Sequence, residues 1–126
     1  MKVLDTNTVV HALKGIGSVR SKFLSSPKTE ISISATTALE LEYGTLRLSQ
    51  LSPRRTTLAL LLNVGRVIPF TSTEATIAAE LRLALERQGR MIGPYDLLIA
   101  ATALAANATL VTNNISEFSR VENLTL

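Results

Sequence analysis

Acidic side chains stand at four places in this sequence where polar residues interrupt or follow an apolar run. The chain opens "MKVLDTNTVV", in which Val3 and Leu4 lead into Asp5, followed by Thr6, Asn7 and Thr8 before Val9 and Val10 resume the apolar pattern. Glu40 lies in "TTALELEYG", Asp96 follows Gly93 and Pro94 in "IGPYDLLIAA", and Glu117 follows Asn113 and Asn114 in "LVTNNISEF". Carboxylates gathered from distant segments repel one another unless a cation joins them. Hard divalent ions such as Mg²⁺ or Mn²⁺ take oxygen ligands and keep waters and phosphate oxygens. A cluster of these acids would therefore suggest phosphodiester hydrolysis by an activated water, with no Ser–His or Cys–His pair required.

Each acid also has an ordinary structural explanation. Asp5 is a good helix N-cap, because its carboxylate accepts from an orphan N–H of the first turn. Asp96 suits the first turn of a helix, where the dipole favours negative charge. Glu40 and Glu42 are two apart and project from nearly opposite sides of a helix, so at most one can face a common site. Asn113 and Asn114 are natural turn residues, and Glu117 could be a surface acid. His11 is the only histidine; without a serine partner it reads as a partly exposed helix residue. Arg54 and Arg55, or Arg82, Arg87 and Arg90, could hold phosphates, but helix faces carry such charges routinely.

The elements that must position these residues alternate. "KVLD" reads as a buried strand and "TNTVVHALKG" as a helix ending near Gly15; "SVRSKFLSS" reads as a second short helix. "EISISA" is a second strand and "TTALELEYGTLRLSQL" a helix. "SPRRTTLALLLNVG" opens with Ser-Pro and closes at Gly65, and "RVIPF" is a third strand. "TSTEATIAAELRLALERQG" carries a capping box, Thr71 with Glu74, ahead of apolar Ile77, Ala78, Leu81 and Leu85. "PYDLLIAATALAANA" is apolar around nearly its whole circumference and predicts a buried helix; "TLVTNN" is a fourth strand and "LTL" a fifth. This alternation predicts an α/β fold with a mostly parallel sheet of four to five strands and helices on both faces. In such sheets ligands bind beyond the carboxyl ends of the strands, where Asp5 would lie.

Composition narrows the classes. A chain of 126 residues suits one domain across 1–126, large enough for a core without disulfide or structural metal. Hydrophobic residues make up 46% and aromatics 4%, so the core is aliphatic and base stacking on an aromatic platform is not expected. Absence of Cys excludes thiol chemistry and fits a reducing compartment. No export signal or membrane-spanning run is visible, so the expected location is cytoplasmic. A net charge of +3 favours a polyanionic partner.

Taken together, "LDTNTVVHALKG", "TTALELEYG", "QGRMIGPYDLLIAATALA" and "LVTNNISEF" resemble the PIN-domain family, in particular its VapC-type toxins from bacterial toxin–antitoxin pairs. The likeness covers almost the whole chain in order, and "IGPYDLLIAA" followed by "LVTNNISEF" is its most specific part. It implies a three-layer α/β/α fold and endoribonuclease activity with Mg²⁺ or Mn²⁺. It also implies an RNA substrate, a VapB-like antitoxin and a homodimer. Carried over by position, the metal-binding acids are Asp5, Glu40 and Asp96, and Glu42 falls on a variable position. The family's fourth acid is often an Asp where Asn114 stands here. Asn114 is then expected to orient water or ligand, while Glu117 supplies the remaining charge. A phosphoacceptor receiver domain would need an Asp ending the third strand, which "RVIPFTS" lacks. A noncatalytic RNA-binding or scaffold module is the remaining alternative.

Overall fold

The computed structural model describes residues 1–15, 21, 25, 27–49, 52–64 and 66–126. Strand β1 (Lys2–Leu4) runs into helix α1 (Thr6–Lys14), and a 3₁₀ turn (Lys28–Glu30) leads to β2 (Ile31–Ser34) and helix α2 (Ala35–Leu46). Helix α3 (Pro53–Val64) precedes β3 (Arg66–Ile68), and α4 (Ser72–Arg87) and α5 (Pro94–Ala105) precede β4 (Thr109–Val111). A one-turn helix α6 (Ile115–Phe118) follows. The expected helix over "SVRSKFLSS" lies almost wholly outside the described residues, as does the stop at Gly65.

Sequence chemistry explains the punctuation. Gly15 ends α1 at φ 69°, a left-handed conformation that glycine adopts without a Cβ penalty. The capping box of α4 is formed: Thr71 N–H donates to Glu74 Oε1 at 2.7 Å, and Thr73 N–H donates to Thr71 Oγ1 at 3.3 Å. Pro94 occupies the first turn of α5, where its missing N–H is no loss.

The four strands are all parallel, in the order β3-β2-β1-β4. The fifth strand expected from "LTL" contracts to a single parallel bridge, Thr109 with Thr125. Two aliphatic clusters flank the sheet. Val3 and Leu110 pack with Leu85, Leu97, Ile99 and Phe118 on one face, while Leu4, Ile31 and Ile33 pack with Val9, Leu41 and Leu58 on the other. Strand side chains alternate between faces, so β1 sends Val3 and Leu4 to opposite cores. Helix α5 is buried as expected, with Ile99, Ala100, Ala101 and Ala103 wholly inaccessible. Small residues on this helix and on β2, where Ser32 and Ser34 alternate with the isoleucines, let the two backbones approach closely.

Asp5 and Ser34 each close a strand and cap the next helix. Leu4 pairs with Ile33 and with Val111, so Asp5, Ser34 and Thr112 stand level at the carboxyl edge. The chain steps outward from β1 to β2 and β3, then returns to the other side of β1 for β4. This reversal opens a crevice between β1 and β4, the place where open parallel sheets bind ligands.

Ser32 and Ser34 provide a test of this packing. Both are inaccessible, but Ser34 Oγ accepts from Thr37 N–H at 3.0 Å, whereas Ser32 Oγ is the one buried side-chain polar atom among the described residues without a hydrogen bond. Ser34→Ala should therefore cost about 1 kcal/mol in urea unfolding, as loss of an N-cap does. Ser32→Ala should be neutral or stabilising, because an unpaired buried hydroxyl contributes only its desolvation cost.

Candidate active site

Asp5 caps α1 and stands at the carboxyl edge of the sheet, bonded to Thr112 just beyond β4. It is 4% exposed; Oδ1 accepts from Thr8 N–H at 2.8 Å and Oδ2 from the Thr112 hydroxyl at 2.5 Å. The Thr112 oxygen in turn accepts from Asn114 N–H at 2.9 Å. The joint between β1 and β4 is tied further by Asp5 N–H to Val111 O at 3.2 Å and by the Thr8 hydroxyl to the same carbonyl at 3.1 Å. A cap bond and a hydroxyl thus fix both carboxylate oxygens while leaving each with acceptor capacity to spare.

Glu40 sits one and a half turns into α2, half-buried, and its Oε1 accepts from the Thr6 hydroxyl at 2.7 Å. Glu42 is exposed. Of the two, Glu40 is the one whose charge, with that of Asp5, raises the Asp96 carboxyl.

Asp96 is the electrostatic centre. Partial burial, the negative charge of Glu117, a hydrogen bond to that residue, and the charges of Glu40 and Asp5 push its carboxyl up to about 6. The effects share one direction, because in each the ionised form is the disfavoured one. Glu117 moves the opposite way. Its carboxylate is held below the usual range chiefly by Gly93 N–H, at 2.7 Å, and further by the Asn114 amide, Asp96 and the charge of Arg120, which together outweigh burial. Of the two, Asp96 is therefore the one that takes up a proton first as the pH falls toward 6, and it donates that proton in a hydrogen bond to Glu117.

Asn114 takes a position that its residue type alone does not announce. Its Nδ2 donates to Glu117 Oε2 at 2.6 Å, so it orients the neighbouring acid, and its side chain makes no capping bond to α6. Gly93 lies close against the acids: a Cβ there would come 3.3 Å from Asp96 Oδ2, which would have to give by a few tenths of an ångström, and into ordinary contact with Glu117 Oε1 at 3.6 Å. Arg120 steadies the approach to Gly93 by donating from Nη1 to Met91 O at 2.9 Å. His11 is partly exposed, with Nδ1 3.3 Å from Asn113 Nδ2 at the rim. Away from the crevice, Arg82 pairs with Glu86 on the exposed side of α4, and Arg54, Arg87 and Arg90 are exposed.

The structure thus brings Asp5, Glu40, Asp96 and Glu117 within electrostatic reach, with Asn114 as an orienting partner. Thr6, Thr37, Thr112 and the Gly93 N–H were not singled out from sequence. Its place directly after the strand-terminal Asp5 is a signal that could have marked Thr6; Thr37 and Thr112 follow no acid. Among the described residues, no three His, Asp or Glu side chains are already grouped as a metal cage, and the Arg82–Glu86 ion pair lies outside the crevice.

The PIN domain family model matches residues 2–124. Ribonuclease VapC2 of Rickettsia felis is 40% identical over 126 residues, covering 98% of this chain and 94% of that protein. The tRNA(fMet)-specific endonuclease VapC of Shigella flexneri is 37% identical over 125 residues, covering 97% and 92%. Among solved structures, VapBC2 from Rickettsia felis bound to a promoter DNA fragment superposes with a TM-score of 0.88 at 37% identity, covering 99% of this chain and 96% of that one. DNA-bound VapBC from Salmonella typhimurium gives 0.89 at 28% identity, covering 98% and 94%. Fold, motif order and near-complete coverage agree: the chain belongs to the PIN-domain family, alongside its VapC-type members.

Proposed function

We propose that this protein is a divalent-metal-dependent endoribonuclease that hydrolyses RNA phosphodiester bonds and is the toxin of a toxin–antitoxin pair. The observation that carries the reading is the convergence on Asp96 of the charges of Asp5, Glu40 and Glu117, supplied by three other segments of the chain. Concentrated negative charge on an all-oxygen donor set fits a hard cation such as Mg²⁺ or Mn²⁺. Asp5, Glu40 and Asp96 would hold the ion, and Glu117 with Asn114 would complete the negative wall. A site offering only a few carboxylate oxygens suits an ion that retains much of its water, as magnesium does.

When bound, the ion supplies Lewis-acid polarisation of the scissile phosphate and acidification of a water. The protein's own contribution is to fix orientation and protonation. Thr112 and the Thr8 N–H hold Asp5, Thr6 holds Glu40, and Gly93 N–H with Asn114 holds Glu117 as a carboxylate that can accept a hydrogen bond from protonated Asp96. RNA as substrate is supported by the names of the relatives, ribonuclease and tRNA endonuclease. An antitoxin partner of the VapB kind is supported by structural neighbours that are VapBC assemblies. A homodimer completes the proposed assembly. The noncatalytic alternative predicts RNA binding without cleavage, whereas this reading predicts cleavage on addition of Mg²⁺ or Mn²⁺ and its loss on chelation.

Substitutions separate the roles. Asp96→Asn should abolish cleavage while leaving the metal-free fold as stable as wild type, or more so, at pH 7.5. The folded-state carboxyl titrates near 6 against an ordinary value of 3.8, so the folded chain binds the extra proton and its stability falls as pH rises through that window. The advantage of Asp96→Asn in thermal melting should accordingly vanish at about pH 4. Glu40→Gln should be inactive and Glu42→Gln active; equal losses would remove the basis for assigning Glu40. Finally, Mn²⁺ binding near pH 5.5 should release a proton from Asp96, and its affinity should fall as pH drops below about 6. Calorimetry in buffers of differing ionisation enthalpy measures that proton directly.

A further inference from the structure

Four hydroxyl and amide groups lie in a line that ends on Glu40. Ser34 Oγ accepts from Thr37 N–H at 3.0 Å; Ser34 Oγ and Thr37 Oγ1 are 3.2 Å apart; Thr37 Oγ1 and Thr6 Oγ1 are 3.2 Å apart; Thr6 Oγ1 is 2.7 Å from Glu40 Oε1. Each hydroxyl has a single proton to donate. Glu40 Oε1, a carboxylate oxygen, can only accept, so the Thr6 proton goes there, in the shortest and charge-assisted bond of the line. Thr6 Oγ1 is then an acceptor toward Thr37. Ser34 and Thr37 are both fully inaccessible, so a hydroxyl proton left unpaired on either would carry a desolvation cost. Only one arrangement pairs all three protons: Ser34 donates to Thr37, Thr37 to Thr6, and Thr6 to Glu40.

We propose that Thr6 and Thr37 are positioning residues, forming with Ser34 a one-way hydroxyl chain that fixes Glu40 by Oε1 and leaves Oε2 to meet the ligand of the site. The chain joins the start of α1 to the start of α2, so Glu40 is aimed by the same two strand–helix joints that set the level of Asp5 and Ser34. The two outer links, at 3.2 Å, are longer than the usual hydroxyl bond and weaker than the Thr6 link. Influence on Glu40 should fall in the order Thr6, then Thr37. As far as it concerns a metal, the inference rests on the reading given under Proposed function.

Thr6→Val keeps the side-chain shape and removes the donor. With Asp96→Asn as the inactive control, Thr6→Val should lower Mn²⁺ affinity by about 10- to 100-fold, the usual effect of losing a partner that orients a metal ligand. It should lower kcat and leave KM for RNA unchanged; Thr6→Ser should restore most of both, and Thr37→Val should do less harm than Thr6→Val. A readout in the metal-free protein is independent of catalysis. The buried Thr37 hydroxyl proton should appear in NMR spectra as a slowly exchanging resonance whose exchange is accelerated by Thr6→Val and not by Glu42→Gln. Unchanged exchange in Thr6→Val, or wild-type affinity and kcat in that variant, would overturn the hydroxyl chain. If the exchange responds as expected but the wild-type protein neither binds Mn²⁺ nor cleaves RNA, the chain stands and the metal-dependent nuclease reading fails.

Discussion

Keeping like charges close together is the constraint around which this structure is organised. Asp5, Glu40, Asp96 and Glu117 have every electrostatic reason to separate, and among the described residues the Arg82–Glu86 ion pair lies elsewhere and neutralises none of them. What holds them is hydrogen bonding to groups that cannot themselves move far. Asp5 is bound by a helix-capping N–H and a strand-edge hydroxyl, Glu40 by a hydroxyl of the neighbouring helix, and Glu117 by a backbone N–H at the start of α5. The residual tension settles on Asp96, whose carboxyl is pushed up to about 6 and so holds its proton at higher pH than an ordinary aspartate.

The parallel sheet makes this economy possible. Its strands are three or four residues long, and the pairing of Leu4 with both Ile33 and Val111 brings three strand ends to one level. The layers beneath are ordinary aliphatic cores, and the alanine face of α5 lets that helix lie close on the sheet and deliver Asp96 from its first turn. Rigidity comes from packing on both faces, and polarity is reserved for one edge. A net positive chain thereby carries a negative crevice, an arrangement suited to drawing in a polyanion while repelling it locally until a cation intervenes.

Periodicity and capping chemistry made most of the fold legible. The α1 stop at Gly15, the Thr71–Glu74 box, the all-apolar α5 and the four strands follow from local rules that tertiary contacts did not override. Less legible were elements shorter than the period needed to detect them. Helix α6 is a single turn, the 3₁₀ segment is three residues, and the final "LTL" makes one bridge because only Thr125 comes alongside Thr109. At the crevice the acids could be named from position and resemblance, but the threonines could not. A hydroxyl between polar neighbours carries no pattern until the register places Thr6 beside Glu40 and Thr112 beside Asp5. Asn114 likewise reads as a missing acid in sequence, and only its bond to Glu117 gives it a task.

The acids differ in what else they do for the chain. Asp5 also caps α1, so replacing it by alanine removes a helix-start bond together with a charge; Asp96, in the first turn of α5, makes no capping bond, and its loss relieves repulsion. In a lineage freed from selection for activity, inactivating changes at Asp96 would meet no folding penalty and would accumulate first, whereas Asp5 would persist for as long as the fold itself is needed. Decayed copies of such a chain should therefore keep a carboxylate or amide after the first strand long after the buried helix has lost its own.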